Sequence, residues 1–145
     1  MEKMPPIEKI YEAYTAIADK RIEMEGNPAR IASSDGKKRY TVSWDGDIYK
    51  SDDSATYWQG YPGYPVIAVL MLQGRLAYDE ETAKLFSGVN WNSLNKKHKR
   101  NYADAVREVM TERNMDAVTV EEKASRVYEE LKALPIEVRR GKSAS

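Results

Sequence analysis

The sequence predicts an α+β fold: an N-terminal helix, a small antiparallel β-meander, and then three to four helices. Apolar residues recur at three- and four-residue spacing over residues 7–22 and 102–110, which indicates amphipathic helices. Between them, residues 29–50 alternate in polarity and contain turn signals, which indicates short strands. Apolar residues make up 41% of a 145-residue chain, which predicts a single core.

The first half of the chain predicts one helix followed by the meander. Pro5-Pro6 suits the first turn of a helix expected over roughly residues 5–25, which Gly26-Asn27-Pro28 ends. Ser34-Asp35-Gly36-Lys37 and Asp45-Gly46 are turn and hairpin signals. The predicted strands are 29–32, 39–43 and 47–50.

The second half predicts four helices. Val66–Gln73 is apolar all round, so we expect it at the centre of the core. Asp79 is a plausible N-cap for the next helix. Thr119, with Glu122 three residues later, is predicted to form a capping box for the last one. The predicted helices are 66–73, 80–86, from Ser93 or Lys96 to Glu112, and 119–134.

The chain is expected to form one domain over residues 1–138, followed by a flexible basic tail over 139–145. The longest apolar run, Val66 to Leu72, is far shorter than the ~20 residues of a membrane-spanning helix. The first six residues do not resemble a signal peptide. We therefore predict a soluble protein in the cytoplasm with no membrane partner.

Composition excludes several kinds of chemistry. With no cysteine and one histidine, the chain forms no disulfide and no Cys- or His-rich metal site. The 23 basic and 23 acidic residues balance, which weakens attraction of the whole molecule to polyanions. His98 lies among four cations without an evident acidic partner to orient it for catalysis. The chain neighbours Asp52 and Asp53 are the carboxylate pair considered for hydrolysis. We expect no catalytic residue, no metal and no cofactor.

A basic cluster is the first candidate binding site. Lys96, Lys97, Lys99 and Arg100 fall within five residues, which suits contacts with phosphates or with an acidic partner, but also suits a solvated helix face. In the first turn of a helix these cations oppose the helix dipole. Either the helix starts later, near Arg100, or the cations are kept for an acidic partner.

An aromatic series is the second candidate. It fits three uses: core packing, an oligomer interface, or a platform for a ligand or for bases. Tyr57, Trp58 and Tyr61 are its candidate partner-binding residues. The whole series is Tyr40, Trp44, Tyr49, Tyr57, Trp58, Tyr61 and Tyr64.

Residues 36–72 resemble a SWIM-type zinc finger. Gly36–Val42 is similar to the leading turn and strand of that family, and Ile67–Leu70 to the start of its helix. The four positions where the family has its C-x-C and C-x-H ligands carry Tyr49, Ser51, Tyr64 and Val66. The resemblance implies that aromatic and aliphatic packing replaces the zinc, and that the role is binding to DNA or protein.

Together these observations predict a small, non-enzymatic interaction domain that binds a protein partner or itself. Abundant Tyr, Trp and Met together with zero net charge favour a protein partner. The alternative is a nucleic-acid-binding protein that uses the basic cluster over residues 96–100. A second alternative is a small enzyme based on carboxylates and tyrosine.

Overall fold

The computed structural model describes residues 1–141 and has the predicted α+β class. A π-helical turn, Ala55–Gln59, lies between the fourth strand and the second helix. The helices are α1 (Lys9–Ala18), α2 (Tyr64–Leu72), α3 (Glu80–Leu85), α4 (Trp91–Lys97), α5 (Tyr102–Glu112) and α6 (Ala117–Ala133). The strands are β1 (Ile22–Glu23), β2 (Ala29–Ala32), β3 (Arg39–Asp45), β4 (Ile48–Ser51) and β5 (Glu137–Arg140).

The strands form one sheet in the order β1-β2-β3-β4-β5. The first four are antiparallel neighbours, with Ala29 opposite Val42 and Val42 opposite Ser51. Strand β5 joins the edge parallel to β4, with Tyr49 opposite Val138. Because parallel neighbours need a long crossover connection, all of the chain from α2 to α6 lies between these two strands.

Helix α2 lies at the centre of the core, as its apolar sequence predicts. Residues Pro65–Met71 are all buried. Helix α1 packs against α2 and buries Ile10 and Tyr14, while Val42 and Tyr49 of the sheet belong to the same core. Helix α2 has nine residues, and no helix in the described part of the chain is long and apolar enough to cross a membrane.

The first helix is shorter than the predicted span of residues 5–25. Helix α1 ends at Ala18, and Lys20 then adopts a left-handed backbone conformation with φ 56°. Ile22 pairs with Ile31 in the sheet instead of continuing the helix. Ile22 continues the three- and four-residue apolar spacing of the helix in the sequence, but in the structure its side chain packs against the core from the sheet.

The helix predicted to end at Glu112 is divided into α4 and α5. Lys99 and Arg100 have φ values of 54° and 66°, a left-handed conformation that does not continue an α-helix. Asn101 then caps α5, its side chain accepting a hydrogen bond from the N–H of Asp104 at 3.2 Å. Within the described residues, five helices therefore follow the sheet rather than three to four.

The last helix begins earlier than predicted. Asp116 is its N-cap, with its carboxylate accepting hydrogen bonds from the N–H and the hydroxyl of Thr119 at 3.4 and 2.8 Å. The predicted capping box at Thr119 is therefore wrong. A carboxylate at an N-cap satisfies free backbone N–H groups and complements the helix dipole.

The predicted tail over residues 139–145 begins too early. Arg139 and Arg140 lie in β5, and the N–H of Gly141 still donates to the Ser51 carbonyl at 2.8 Å. Residues 142–145 lie outside the described residues. The pairing partner of β5 is about ninety residues away in the chain, so local composition carried no signal for this strand.

Buried tyrosines predict a loss of stability at alkaline pH. Desolvation, with the charges of Asp79 and Glu130, raises the pKa of Tyr14 from 10.0 to about 12. The phenol of Tyr14 loses its proton at a lower pH in the unfolded chain than in the folded protein. Protonated Tyr14 therefore makes its full contribution to the free energy of unfolding below pH 10, and this contribution is lost as the pH rises to about 12.

Tyr14→Phe should remove this part of the alkaline loss, which reaches about 2 kcal/mol by about pH 11.5. Urea unfolding at about pH 9 and about pH 11.5 measures the difference, with the native protein as reference. Identical pH dependence in the two proteins would contradict the assignment to Tyr14.

Candidate partner-binding surface

The three aromatic residues predicted to bind a partner occupy the loop between β4 and α2. Tyr57 and Trp58 belong to the π-helical turn, and Tyr61 follows it. Trp58 is 71% exposed, the highest value among the large hydrophobic residues of the described chain. Because π-helical turns are rare and frequently lie at functional sites, this loop is the first candidate for binding.

Arg140 contacts the half-buried ring of Tyr57 and the exposed ring of Trp58. The rings of Tyr57 and Trp58 meet edge to face, with centroids 4.8 Å apart. The guanidinium carbon of Arg140 lies 4.8 Å from the Tyr57 centroid and 5.9 Å from that of Trp58. Exposed cation–π contacts of this kind contribute about 0.5–1 kcal/mol each. Strand β5 thus brings a cation from far along the chain onto the aromatic loop.

Lys3 supplies a second cation to the same loop. Its Nζ donates a hydrogen bond to the Gln59 carbonyl at 2.6 Å and lies 5.6 Å from the Tyr61 ring centroid. Within residues 1–141, neither Lys3 nor Arg140 forms an ion pair with a carboxylate. We call the set Lys3, Tyr57, Trp58, Tyr61 and Arg140 the aromatic–cation face.

A buried carboxylate holds the aromatic loop. Asp53 is 3% exposed and accepts hydrogen bonds from the Ser51 hydroxyl and, at 3.1 Å, from the N–H of Thr56. Burial raises the pKa of Asp53, and these hydrogen bonds oppose the rise. The Thr56 hydroxyl accepts a hydrogen bond from the N–H of Gly63 at 3.1 Å. Both ends of the loop are therefore fixed to one polar cluster.

The other rings of the aromatic series are packed. Tyr49 is buried in the core, and Trp44 is half-buried beside it with ring centroids 6.3 Å apart. Tyr40 and Tyr64 are also half-buried and meet edge to face at 6.4 Å. The series therefore divides into four packed rings and three at the aromatic–cation face.

The basic cluster lies at the end of α4, not in the first turn of a longer helix. Lys97 pairs with Glu108 at 2.6 Å and is neutralised. Lys96, Lys99 and Arg100 are exposed and form no ion pair in the part of the chain that the structure describes. A helix C-terminus favours cations, so the conflict with the helix dipole does not arise.

Lys9 connects the two candidate surfaces. Its Nζ lies 4.4 Å from the Tyr102 ring centroid and 3.1 Å from Glu12 Oε2. Burial by itself lowers the pKa of Lys9, but Glu12 and Tyr102 outweigh it and leave the pKa raised. Burial raises the pKa of Tyr61, with Lys9 opposing and Tyr102 reinforcing the rise. Lys9 therefore contacts Tyr102, which follows the basic cluster by two residues in the chain.

The carboxylate pair considered for catalysis has structural partners. Asp52 accepts a hydrogen bond from the N–H of Thr41 at 2.8 Å, and Asp53 holds the aromatic loop.

His98 does have an acidic partner, contrary to expectation: its Nε2 lies 3.2 Å from Glu108 Oε1, beside an open cleft of about 360 Å³. Among residues 1–141, no group of three His, Cys, Asp or Glu residues is arranged to hold a metal.

Several residues of this region were missed by sequence reasoning. Lys3, Lys9 and Gly63 carry no local pattern that distinguishes them from other surface lysines or loop glycines. Asp53 did carry a signal, because an acceptor three residues before Thr56 is the spacing of a helical cap. Arg140 was grouped with a mobile tail because its strand pairing is non-local.

These features define a small α+β domain with a hydrogen-bonded aromatic loop beside the edge of its sheet. A family model described as "Uncharacterised conserved protein UCP014422" matches residues 2–137, so the chain belongs to this family. No curated protein and no solved structure matches the chain. The resemblance of residues 36–72 to a SWIM-type zinc finger stays a prediction, since none of these comparisons bears on it.

The close contact between Gly63 and Asp53 is testable. A Cβ at Gly63 would lie 2.0 Å from Asp53 Oδ2, whereas a Cβ at Gly26 would meet no heavy atom within 4 Å. Because overpacking of a filled site typically costs 1–3 kcal/mol, we expect Gly63→Ala to lower the free energy of unfolding by about 2 kcal/mol. Gly26→Ala, the matched control, should change it by less than about 0.5 kcal/mol. Urea unfolding measures both, and equal stability of the two variants would contradict the contact.

Proposed function

We propose that this chain is an interaction domain that binds a protein partner through the aromatic–cation face, and that it is not a catalyst. The observation that carries the proposal is the 71% exposure of Trp58, whose ring meets Tyr57 edge to face and lies 5.9 Å from the Arg140 guanidinium carbon. Trp, Tyr and Arg are the residue types that dominate binding hot spots. An exposed Trp side chain adds little to folding, whereas covering it in a complex removes a large apolar surface from water.

The fixed conformation of the loop favours binding. Ordering a flexible loop on association opposes binding, and a loop that is already ordered avoids that cost. Asp53, Thr56 and Gly63 hold this loop in the free protein through buried hydrogen bonds. A partner therefore meets Tyr57 and Trp58 in a defined arrangement.

The charges indicate the chemistry of the partner. Lys3 and Arg140 each contact a ring but no carboxylate within the described residues. A partner that presents Asp or Glu side chains around an apolar centre complements these cations. We also propose a cytoplasmic location for the complex, as expected from the sequence.

A cross-linking experiment tests the protein partner. A photo-reactive amino acid at the exposed position Gln59 should form one defined adduct in cells that produce the chain. Trp58→Ala should reduce that adduct by at least about tenfold, because truncating a hot-spot residue costs about 2 kcal/mol or more. Leu72→Ala removes another exposed apolar side chain, 42% exposed, and should leave the adduct unchanged.

Both variants should stay folded, with melting temperatures close to that of the native protein, since Trp58 is 71% exposed and Leu72 is 42% exposed. An undiminished adduct in Trp58→Ala would contradict the assignment of the binding surface.

Nucleic acid is a second candidate partner, favoured by one observation. Lys96, Lys99 and Arg100 are exposed and lack acidic partners in the described residues. Unpaired cations at the surface suit the phosphates of a single strand.

Anisotropy with a labelled oligothymidylate of about 15 nucleotides, at about 50 and about 200 mM salt, tests this candidate. Replacing Lys96, Lys99 and Arg100 together with Gln should weaken binding and reduce the slope of log K against log salt by about 2. Lys97→Gln is the matched control, because Glu108 already neutralises Lys97, and it should change the slope least. No binding at the lower salt concentration would eliminate nucleic acid.

A further inference from the structure

A cleft of about 510 Å³ lies on another part of the surface, between three helices. The start of α1, one face of α5 and the first half of α6 form its walls. Its lining is not used by the aromatic–cation face or by the basic cluster. The cleft is therefore a separate feature that needs its own explanation.

The cleft has an apolar floor, and an exposed apolar residue follows one of its lining residues in α6. Tyr11, Val106 and Met110 are buried residues that reach the floor, and Met115 is half-buried there. Val118 follows the lining residue Ala117 in the first turn of α6 and is 66% exposed. Methionine adapts its shape to an inserted side chain. An exposed valine therefore follows directly, in the chain, a residue that lines the cleft.

The charges of the cleft are of opposite sign on different helices. Glu8 of the α1 region and Glu121 of α6 both lie close enough to Tyr11 to raise the pKa of its phenol, after the larger effect of burial. Neither carboxylate forms an ion pair within residues 1–141. Arg107 of α5 lines the same cleft, and its ionic contact is with the exposed Asp104 on its own helix at 3.3 Å.

We propose that a second copy of this chain docks on the cleft around a two-fold axis. In such an interface each surface meets itself, so residue i of one copy contacts residue j of the other in both directions. Arg107 of each copy then faces Glu8 and Glu121 of the other copy, and Val118 of each copy enters the cleft of the other. The two unpaired carboxylates gain a cation, and the exposed valine loses its contact with water.

Light scattering of the full chain over a range of concentrations tests the proposal. The native protein should show a concentration-dependent rise from 16.6 kDa toward twice that mass. Arg107→Glu and Glu121→Arg should each weaken the dimer by about tenfold or more, because each places like charges opposite one another. The two substitutions in one chain restore opposite charges and should bring the dimer back to within a few-fold of native.

Two further variants separate docking from folding. Val118→Asp should remove the dimer without changing the melting temperature, because the side chain is exposed. Arg126→Glu changes an exposed arginine on α6 that does not line the cleft, and should leave the dimer intact.

A native protein that stays monomeric at all concentrations would overturn the proposal, as would a double variant that fails to recover the dimer. Neither result would bear on the aromatic–cation face, which is tested by Trp58→Ala.

Discussion

Enclosure of α2 is the constraint on which the rest of the structure depends. A helix without a polar face is stable in water when other elements surround it, and Pro65–Met71 are all buried. Each large apolar side chain buried here contributes about 1.5–3 kcal/mol. Helix α1 covers one side, and β3 and β4 of the sheet contact another. Gly63 is the N-cap of α2, so the loop that carries Trp58 ends at the entrance to the most buried element.

Buried polar groups then fix the elements relative to one another. The Thr15 hydroxyl of α1 donates to the Phe86 carbonyl at 2.8 Å and accepts from the Trp91 indole N–H at 2.9 Å, which joins α1 to the segments around α3 and α4. Lys9 and Glu12 pair within the same helix. Because an unpaired buried polar group is costly, such paired groups serve the structure. The cations without partners are at the surface, which is where the proposed binding depends on them.

Local patterns predicted much of the fold and part of the site. The central position of α2 and the antiparallel order of the first strands follow from apolar spacing and turn residues. Tyr57, Trp58 and Tyr61 lie together because they are close in the chain. The break at Lys99-Arg100 was not predictable in the same way, because lysine and arginine rarely adopt a left-handed conformation. The predicted start of α6 is wrong because Asp116 and Thr119 are both residue types that suit an N-cap. Which of the two caps the helix depends on the path of the chain between α5 and α6.

By itself the sequence determined the composition of the core, the helix-rich α+β class and the identity of the aromatic residues, since these depend on residue type and short-range spacing. Tertiary structure alone decided which rings are exposed and which cations meet them. Arg140 reaches Tyr57 and Trp58 through a parallel strand pair that closes a loop of about ninety residues, and Lys3 reaches Gln59 and Tyr61 across nearly sixty residues. Contacts of that range depend on how the enclosed helix orders the elements around it, a property of the packed chain that no local pattern records.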